Sequence, residues 1–508
     1  MLHRRQFVLG PRAVEPRPGW RARRVGALTL SHCPDLRIEP VADAEGAEWC
    51  LIGLVSQSDP GRPDPPEAIR RSATGAVRDL YQTWAGRWML VGNGRVHLDA
   101  AGLLGCYYRL DGGECWASSS AVLLIRPEEA GTVEIDPRPL VHRHGVEWYP
   151  PPRSRFGPIR RLLPSQVLDL ARGAVEPRPL LPPLERHGYA RIVERLEERL
   201  VTALARLPRV AGAHDTRRED ARTWVPLTSG LDSRLVLAIA ARLGMAQGTY
   251  THERPGLSIG DRLYPPRLAR AAGLPHRLVR PGRFSARAER EYDEHTGRQS
   301  ADVDRRYYAR GHWRFLRPGD LILRGGGFES GRCFYYHRLR EASGGALPDP
   351  EDVAAWLGEP RSSTAVAGLR EWLAHAAADP IEGLDWRDRF YLEQRLGGWL
   401  SALEQSLDLI DATRFYVANS AAVYGLLLSL DPERRRTGEH QRELIRRLAP
   451  RLLELPFNPD EDRFTRWERL RHRWREDPLA VVRAAARRVA RRHGAPRQGP
   501  PADPASSR

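Results

Sequence analysis

The spacing of apolar positions changes character partway along this chain. From residue 25 to about 125 they fall in short runs, at 26–31, 49–55, 87–91 and 95–99, separated by turns. Short alternating or apolar runs of this kind predict β-strands. Asn93-Gly94 joins the last two runs and predicts a two-residue hairpin, whose central positions both need a positive φ. Ile69, Ala76, Leu80 and Trp84 recur at a helix-like spacing and predict a helix between residues 65 and 84. Proline-rich stretches at 149–152 and 177–183 predict loops or a linker.

After residue 184 the pattern alternates between strand and helix. A helix at 189–207 leads through a polar, charged loop at 212–222 into a strand at 224–227. A helix at 234–243 follows, with Gly244 placed to cap its C-terminus. A strand at 247–251, a helix at 262–272 and strands at 277–279 and 321–323 come next. Beyond residue 386 the chain reads as helical, through 392–409, 420–430 and 439–455. Alternating strands and helices predict an α/β domain with a doubly wound, mostly parallel sheet. The expected division is an α+β domain over 1–184, the α/β domain over 185–475, and a basic tail over 476–508. The tail, rich in Pro, Ser and Ala at its end, is expected to be disordered.

Composition narrows the class. A chain of 508 residues exceeds one typical core and fits two domains. No apolar run is long enough to span a bilayer, and the Arg- and Pro-rich first 24 residues lack the apolar stretch of a signal peptide. A soluble, cytoplasmic protein is expected, with no membrane partner. The five cysteines (Cys33, Cys50, Cys106, Cys115 and Cys333) form no CxxC pair, so free thiols are expected. The formal net charge is +16, and every basic residue counted is arginine. Such a charge suits polyanions, yet the arginines are scattered everywhere except at the C-terminus. Nucleic acid is therefore not the expected partner.

The chemistry concentrates at Val225-Pro226-Leu227-Thr228-Ser229-Gly230-Leu231-Asp232-Ser233-Arg234, between a strand and a helix. A turn there aims backbone N–H groups and the positive end of a helix dipole at one point. Thr228, Ser229 and Ser233 add hydroxyls, and Gly230 lets an anion approach the backbone. Asp232 would repel a phosphate, but it is well placed to hold a Mg²⁺ that bridges phosphates. The same residue types also cap helices, so capping alone is the competing reading.

This segment resembles the SGGLDS pyrophosphate loop of the asparagine synthetase family, part of the PP-loop ATP pyrophosphatase group. Thr228 stands for the first Ser and Ser229 for the first Gly, while Gly230, Leu231, Asp232 and Ser233 match, and Arg234 is a common next residue. The segment 258–276, with Asp261, is similar to the family's stretch after its second strand. Leu323-Arg324-Gly325-Gly326-Gly327-Phe328-Glu329 resembles the second pyrophosphate loop, SGEGSDE. Acids expected at Gly326 and near Phe328 are missing. The resemblance implies ATP and Mg²⁺ as cofactors. It implies Gly325, Gly326 and Gly327 around the phosphates, and Asp232 and Glu329 as metal ligands, with Glu329 also a catalytic carboxylate. The family's late lysine, in a G-x-x-K-x-x-L-R setting, is matched best by Arg442, which keeps the positive charge but cannot give up a proton.

A weaker likeness covers the first domain. Gly86–Val91, Leu98–Leu103 with Tyr107-Tyr108, and Trp116–Ser119 are similar to the family's GRFAL, RDPLGIRPLYY and FASE series. Glutamine-using members expose a cysteine after Met removal, whose own amine serves as base. Leu2 stands there here, which implies a degenerate amidotransferase-like domain without glutaminase activity. The function implied is an AMP-forming, ATP-dependent C–N ligase. It would adenylate a small-molecule or peptide carboxylate and capture it with an amine, and asparagine synthesis from free ammonia stays open. A homodimer is compatible with this reading. Two alternatives remain: a catalytically decayed ATP-binding or regulatory protein, and an RNA-modifying PP-loop enzyme using the Arg-rich tail.

Overall fold

The computed structural model describes residues 2–476, except 112, 137–139, 143–145, 208–220, 255, 281–284, 300–313, 341–346 and 362–363, together with Leu479 and Val482. Most of the expected tail, and most of the polar loop at 212–222, therefore fall outside the described residues.

The first half builds two six-stranded antiparallel sheets. One runs in the spatial order Arg160–Arg161, Tyr107–Asp111, Glu114–Ser118, Phe7–Gly10, Leu28–His32, Arg21–Val25. The other runs Ala174–Pro177, Gln166–Asp169, Arg95–Leu98, Trp84–Gly92, Glu48–Gln57, Ile38–Ala42. Phe7, Leu9 and Leu30 of one sheet share a core with Ile52, Met89 and Leu168 of the other. Because side chains alternate along a strand, Trp88 and Leu90 face the opposite way. They pack with Trp84 against Ile69 and Tyr81. Asn93 and Gly94, at φ 49 and 72, make the expected hairpin between Gly92 and Arg95.

The helix expected between 65 and 84 is interrupted. Pro65–Arg70 is α-helical, and Thr74–Asp79 and Tyr81–Thr83 are tight 3₁₀ turns. The break is drawn out by a neighbouring loop. Ala44 N–H donates to Ser72 O at 3.0 Å, and the Thr74 hydroxyl donates to Asp43 at 2.6 Å.

The second half is organised on five parallel strands: β1 (Thr223–Pro226), β2 (Gly248–His252), β3 (His276–Val279), β4 (Leu321–Arg324) and β5 (Thr413–Tyr416). Their spatial order is β3-β2-β1-β4-β5. Helix α1 (Tyr189–Ala205) precedes β1, α2 (Leu231–Arg242) follows it, and α3 (Ile259–Ala271) follows β2. Strand β5 corrects the expectation that everything beyond 386 is helical. Four residues between two helices are too few to show a period of two. From 386 to 407 the chain winds continuously through Trp386–Phe390, a π-helical stretch Tyr391–Leu400, and Ser401–Leu407.

One core joins the halves: Leu54, Ala85, Trp148 and Leu163 of the first pack with Leu403 and Phe415 of the second. Arg87 reaches across with both terminal nitrogens, 2.7 and 2.8 Å from Asp408. No described helix is long and apolar enough to cross a membrane.

Candidate functional site

The order of the parallel sheet reverses between β1 and β4, and a crevice opens at the carboxyl ends of strands at such a switch point. The loop after β1 and the loop after β4 both enter it. They touch through the backbone: a Cβ on Gly325 would lie 3.2 Å from the Asp232 carbonyl carbon and 3.4 Å from the Ser233 nitrogen. Two stretches almost a hundred residues apart are thus pressed together where the resemblance puts two phosphate loops.

The first loop is braced by its own hydroxyls. Thr228 N–H donates to the Ser233 hydroxyl at 3.0 Å, the two hydroxyls lie 2.9 Å apart, and Gly230 N–H donates to the Thr228 hydroxyl at 3.2 Å. Gly230 begins α2 without a capping side chain. Leu231 opens the helix and is buried in the core, so the first turn keeps its N–H groups and dipole for an anion. Asp261 is turned to a bracing role. One of its oxygens accepts from Ser229 N–H at 2.7 Å and from the Ser229 hydroxyl at 2.8 Å.

Arg234 sits fully buried on the far side of α2. It donates to the carbonyls of Leu452, Leu455, Pro456 and Ser229 at 2.6–3.1 Å and lies over the Phe457 ring. Its charge fastens the 452–457 segment behind the loop instead of facing the crevice.

Asp232 and Glu329 do meet, through a third residue. Arg332 donates to Asp232 at 2.5 Å and lies 3.8 Å from Glu329. Gln441 donates to the other Asp232 oxygen at 2.8 Å, and the Tyr391 hydroxyl donates to Glu329 at 2.7 Å. Burial raises the Asp232 carboxyl above the ordinary carboxylate range. Arg332 and Gln441 oppose that rise, and Glu329 adds to it. The two carboxylates are thus gathered on one guanidinium, which supplies their counter-charge. Among the described residues no group of three or more His, Cys, Asp or Glu side chains is placed to hold a metal.

Sequence reasoning missed Arg332 and Gln441. Arg442, expected at the site, donates instead to Thr437 O and lies over the Phe457 ring at 5.1 Å, while its neighbour Gln441 turns inward. The one local hint of Arg332 was its spacing three residues after Glu329.

The acids missing from the second loop have a steric explanation at one position. A Cβ on Gly326 would come within 2.7 Å of the Tyr416 ring and 3.1 Å of Leu400. Phe328, where a second acid was expected nearby, is fully buried in the core. Gly327 has φ 101, and a Cβ there would fall 2.6 Å from the Tyr424 hydroxyl.

Beside the loops lies a cavity of about 300 Å³, walled by Leu227, Thr228, Thr251, Arg324, Trp399 and Leu403 among others. Its lining combines apolar surface with a few polar groups, the usual make-up of a small-molecule site. Arg324 stands at the end of β4, 3.4 Å from the Tyr416 hydroxyl and 3.7 Å from Glu404. Glu404 is already bonded to Arg414 at 2.6 Å.

No family model matches the chain, and no curated protein matches it. Among solved structures, a glutamine phosphoribosylpyrophosphate amidotransferase from B. subtilis, complexed with ADP and GMP, is similar at 11% identity. That alignment covers 65% of this chain and 71% of that chain with a TM-score of 0.21, a likeness that carries no argument about this protein.

Proposed function

We propose that this chain is an ATP-dependent, amide-forming ligase of the asparagine synthetase type. The observation that carries the reading is the backbone contact between the β1 and β4 loops at the switch point of the parallel sheet. The open N-terminus of α2, with Thr228, Gly230 and Ser233, binds the phosphates, and Ser229, held by Asp261, braces the turn behind them. The adjoining cavity takes the nucleoside. Asp232 and Glu329 hold Mg²⁺, which neutralises charge on the phosphates when bound. Gly325 keeps the second loop close to the first, and Gly326 and Gly327 seat it against Tyr416 and Tyr424.

In the first step a carboxylate oxygen of the substrate attacks the α-phosphorus, the bond to the β-phosphate oxygen breaks, and pyrophosphate leaves. Arg332 supplies the cation nearest the negative charge that gathers on that leaving group, the task the resemblance assigned to Arg442. An amine nitrogen then attacks the acyl carbon, AMP departs, and the amine's proton passes to water. The amine comes from a substrate.

A second reading, an ATP-binding protein that does not turn over, is favoured by two observations. Arg332 occupies both metal-binding carboxylates, and Gly326 has no room for the family's acid. Exchange of labelled pyrophosphate into ATP, across a panel of carboxylates, separates the two. Exchange that requires one carboxylate and vanishes in Asp232→Ala is expected. ATP binding measured by calorimetry, with no exchange for any carboxylate, would leave the second reading standing.

A further inference from the structure

Five of the seven large apolar side chains that stand exposed among the described residues lie between 467 and 482. Three of them, Trp467, Leu470 and Trp474, belong to the helix Arg466–Glu476 and are 77%, 45% and 52% exposed. At 3.6 residues per turn their spacing confines them to an arc of about 60°. Surface helices ordinarily turn such a stripe inward. This one is held the other way round by what fastens it.

The helix begins at Thr465, whose hydroxyl accepts from Glu468 N–H at 3.2 Å while Glu468 accepts from Thr465 N–H at 2.9 Å. That is a reciprocal cap. Just before it, Phe464 is buried against Tyr264. Glu468 pairs with Arg267 at 3.0 Å, Arg469 donates to Glu461 O at 3.2 Å, and Arg473 pairs with Glu461 at 3.5 Å. Arg267 belongs to α3, and Glu461 lies on the chain leading into the helix. The inward face is therefore polar and bonded, and the apolar face looks out. On the same helical geometry Arg466 and Arg471 border the stripe on its two sides. Neither they nor Arg475 has an ion-pair partner among the described residues. From Arg466 to Arg492 the sequence carries ten arginines against three acids.

We infer that the outward face of Arg466–Glu476 docks on an anionic lipid surface. Indole rings settle at the boundary between headgroups and acyl chains, a leucine between them makes the submerged stripe continuous, and flanking arginines reach lipid phosphates while their stems stay apolar. The arginine excess beyond the helix adds attraction to the same surface. The helix lies in the plane of the surface, and at 11 residues it is too short to span one. Stacking slots for separate bases are a poorer match, because Leu470 stands between the two tryptophans along the same face of the helix. The inference does not depend on the ligase reading.

The test uses the full chain and co-sedimentation with vesicles of phosphatidylcholine alone or mixed with phosphatidylserine. Binding is expected only to the mixed vesicles and is expected to weaken as salt is raised. Trp467→Ser with Trp474→Ser is expected to lower the apparent affinity at least ~10-fold. Arg466→Gln with Arg471→Gln is expected to lower it about 30-fold. Both pairs are exposed, so the thermal melt is expected to stay put, and each pair checks the other if one fails to fold. Absence of binding to mixed vesicles, or binding undiminished in both variants, would overturn the inference. So would a dimer, or binding to single-stranded RNA, that the tryptophan variant abolishes while vesicle binding persists.

Discussion

Arg332 lies between Asp232 and Glu329 with one positive charge against two negative ones, and under the proposed function a triphosphate in the crevice would bring several more negatives. Removing that guanidinium leaves two carboxylates facing the phosphates. Arg332→Ala is expected to weaken ATP binding by about 2–3 kcal/mol, a figure appropriate to a charged hydrogen bond, with Arg332→Lys recovering part of it; calorimetry reads both. Arg442→Ala is expected to change binding far less, because Arg442 spends its donors on Thr437 O beside Phe457. Arg234→Ala is a different experiment. It strips the donor from four carbonyls and is expected to lower stability by ~2–4 kcal/mol, read as a drop in the denaturation midpoint. The contrast shows what a local pattern reveals. The turn held by Thr228, Gly230 and Ser233 was legible because their partners lie within a few residues. Arg332 and Gln441 were not, since each meets Asp232 from a hundred or more residues away.

The elements that make the crevice are two strand ends and the glycines after them. Gly327 adopts a left-handed conformation, and the space where its side chain would be belongs to the Tyr424 hydroxyl. Gly327→Ala combines backbone strain with that collision and is expected to cost about 2–4 kcal/mol, measurable by urea unfolding. Gly326→Glu, which would restore the family's acid, collides with Tyr416 on β5 and is expected to destabilise the chain without raising exchange. β5 is thus the element that decides what the second loop can carry, and it is the strand the pattern did not reveal. Thr413–Tyr416 is the edge strand of the parallel sheet, paired there with β4, and its four residues, Thr-Arg-Phe-Tyr, carry neither an apolar run nor a visible period of two. The strands and helices around β1 and β2 were legible within a few residues, because the helices after them are long enough to show their period and the turns between are punctuated by Gly or Ser.

Across the whole molecule, buried charge ties the halves together. Asp408 receives Arg87 from the first half and Arg414 from the second. Burial alone would raise its carboxyl; the two guanidiniums outweigh burial and hold it down at about 2. Asp408→Ala leaves two buried guanidiniums without their shared partner and is expected to cost ~3–5 kcal/mol. Burial also keeps His97, His295 and His440 neutral, lowering each to about 3 from 6.5. A group depressed in the folded state stabilises fully above its unfolded value and loses that contribution as pH falls toward its folded value. The urea midpoint is therefore expected to decline steadily below about pH 6.5 as the histidines protonate in the unfolded chain, with Asp408 adding its share below about pH 4. A flat midpoint between about pH 7 and pH 5 would show that these histidines are not buried as described. The sequence by itself determined the hairpin at Asn93-Gly94, the alternation of β1, α2, β2 and α3, and the hydroxyl-rich turn of residues 228–233 at the start of α2. Those properties depend on neighbours in the chain, on period and on turn chemistry. Only the tertiary structure decided that Arg234 faces the core, that Arg332 bridges the two carboxylates, that Tyr416 closes the space above Gly326, and that Trp467 and Trp474 look outward. Each of those is set by a contact, or by the absence of one, between residues that the chain itself keeps far apart.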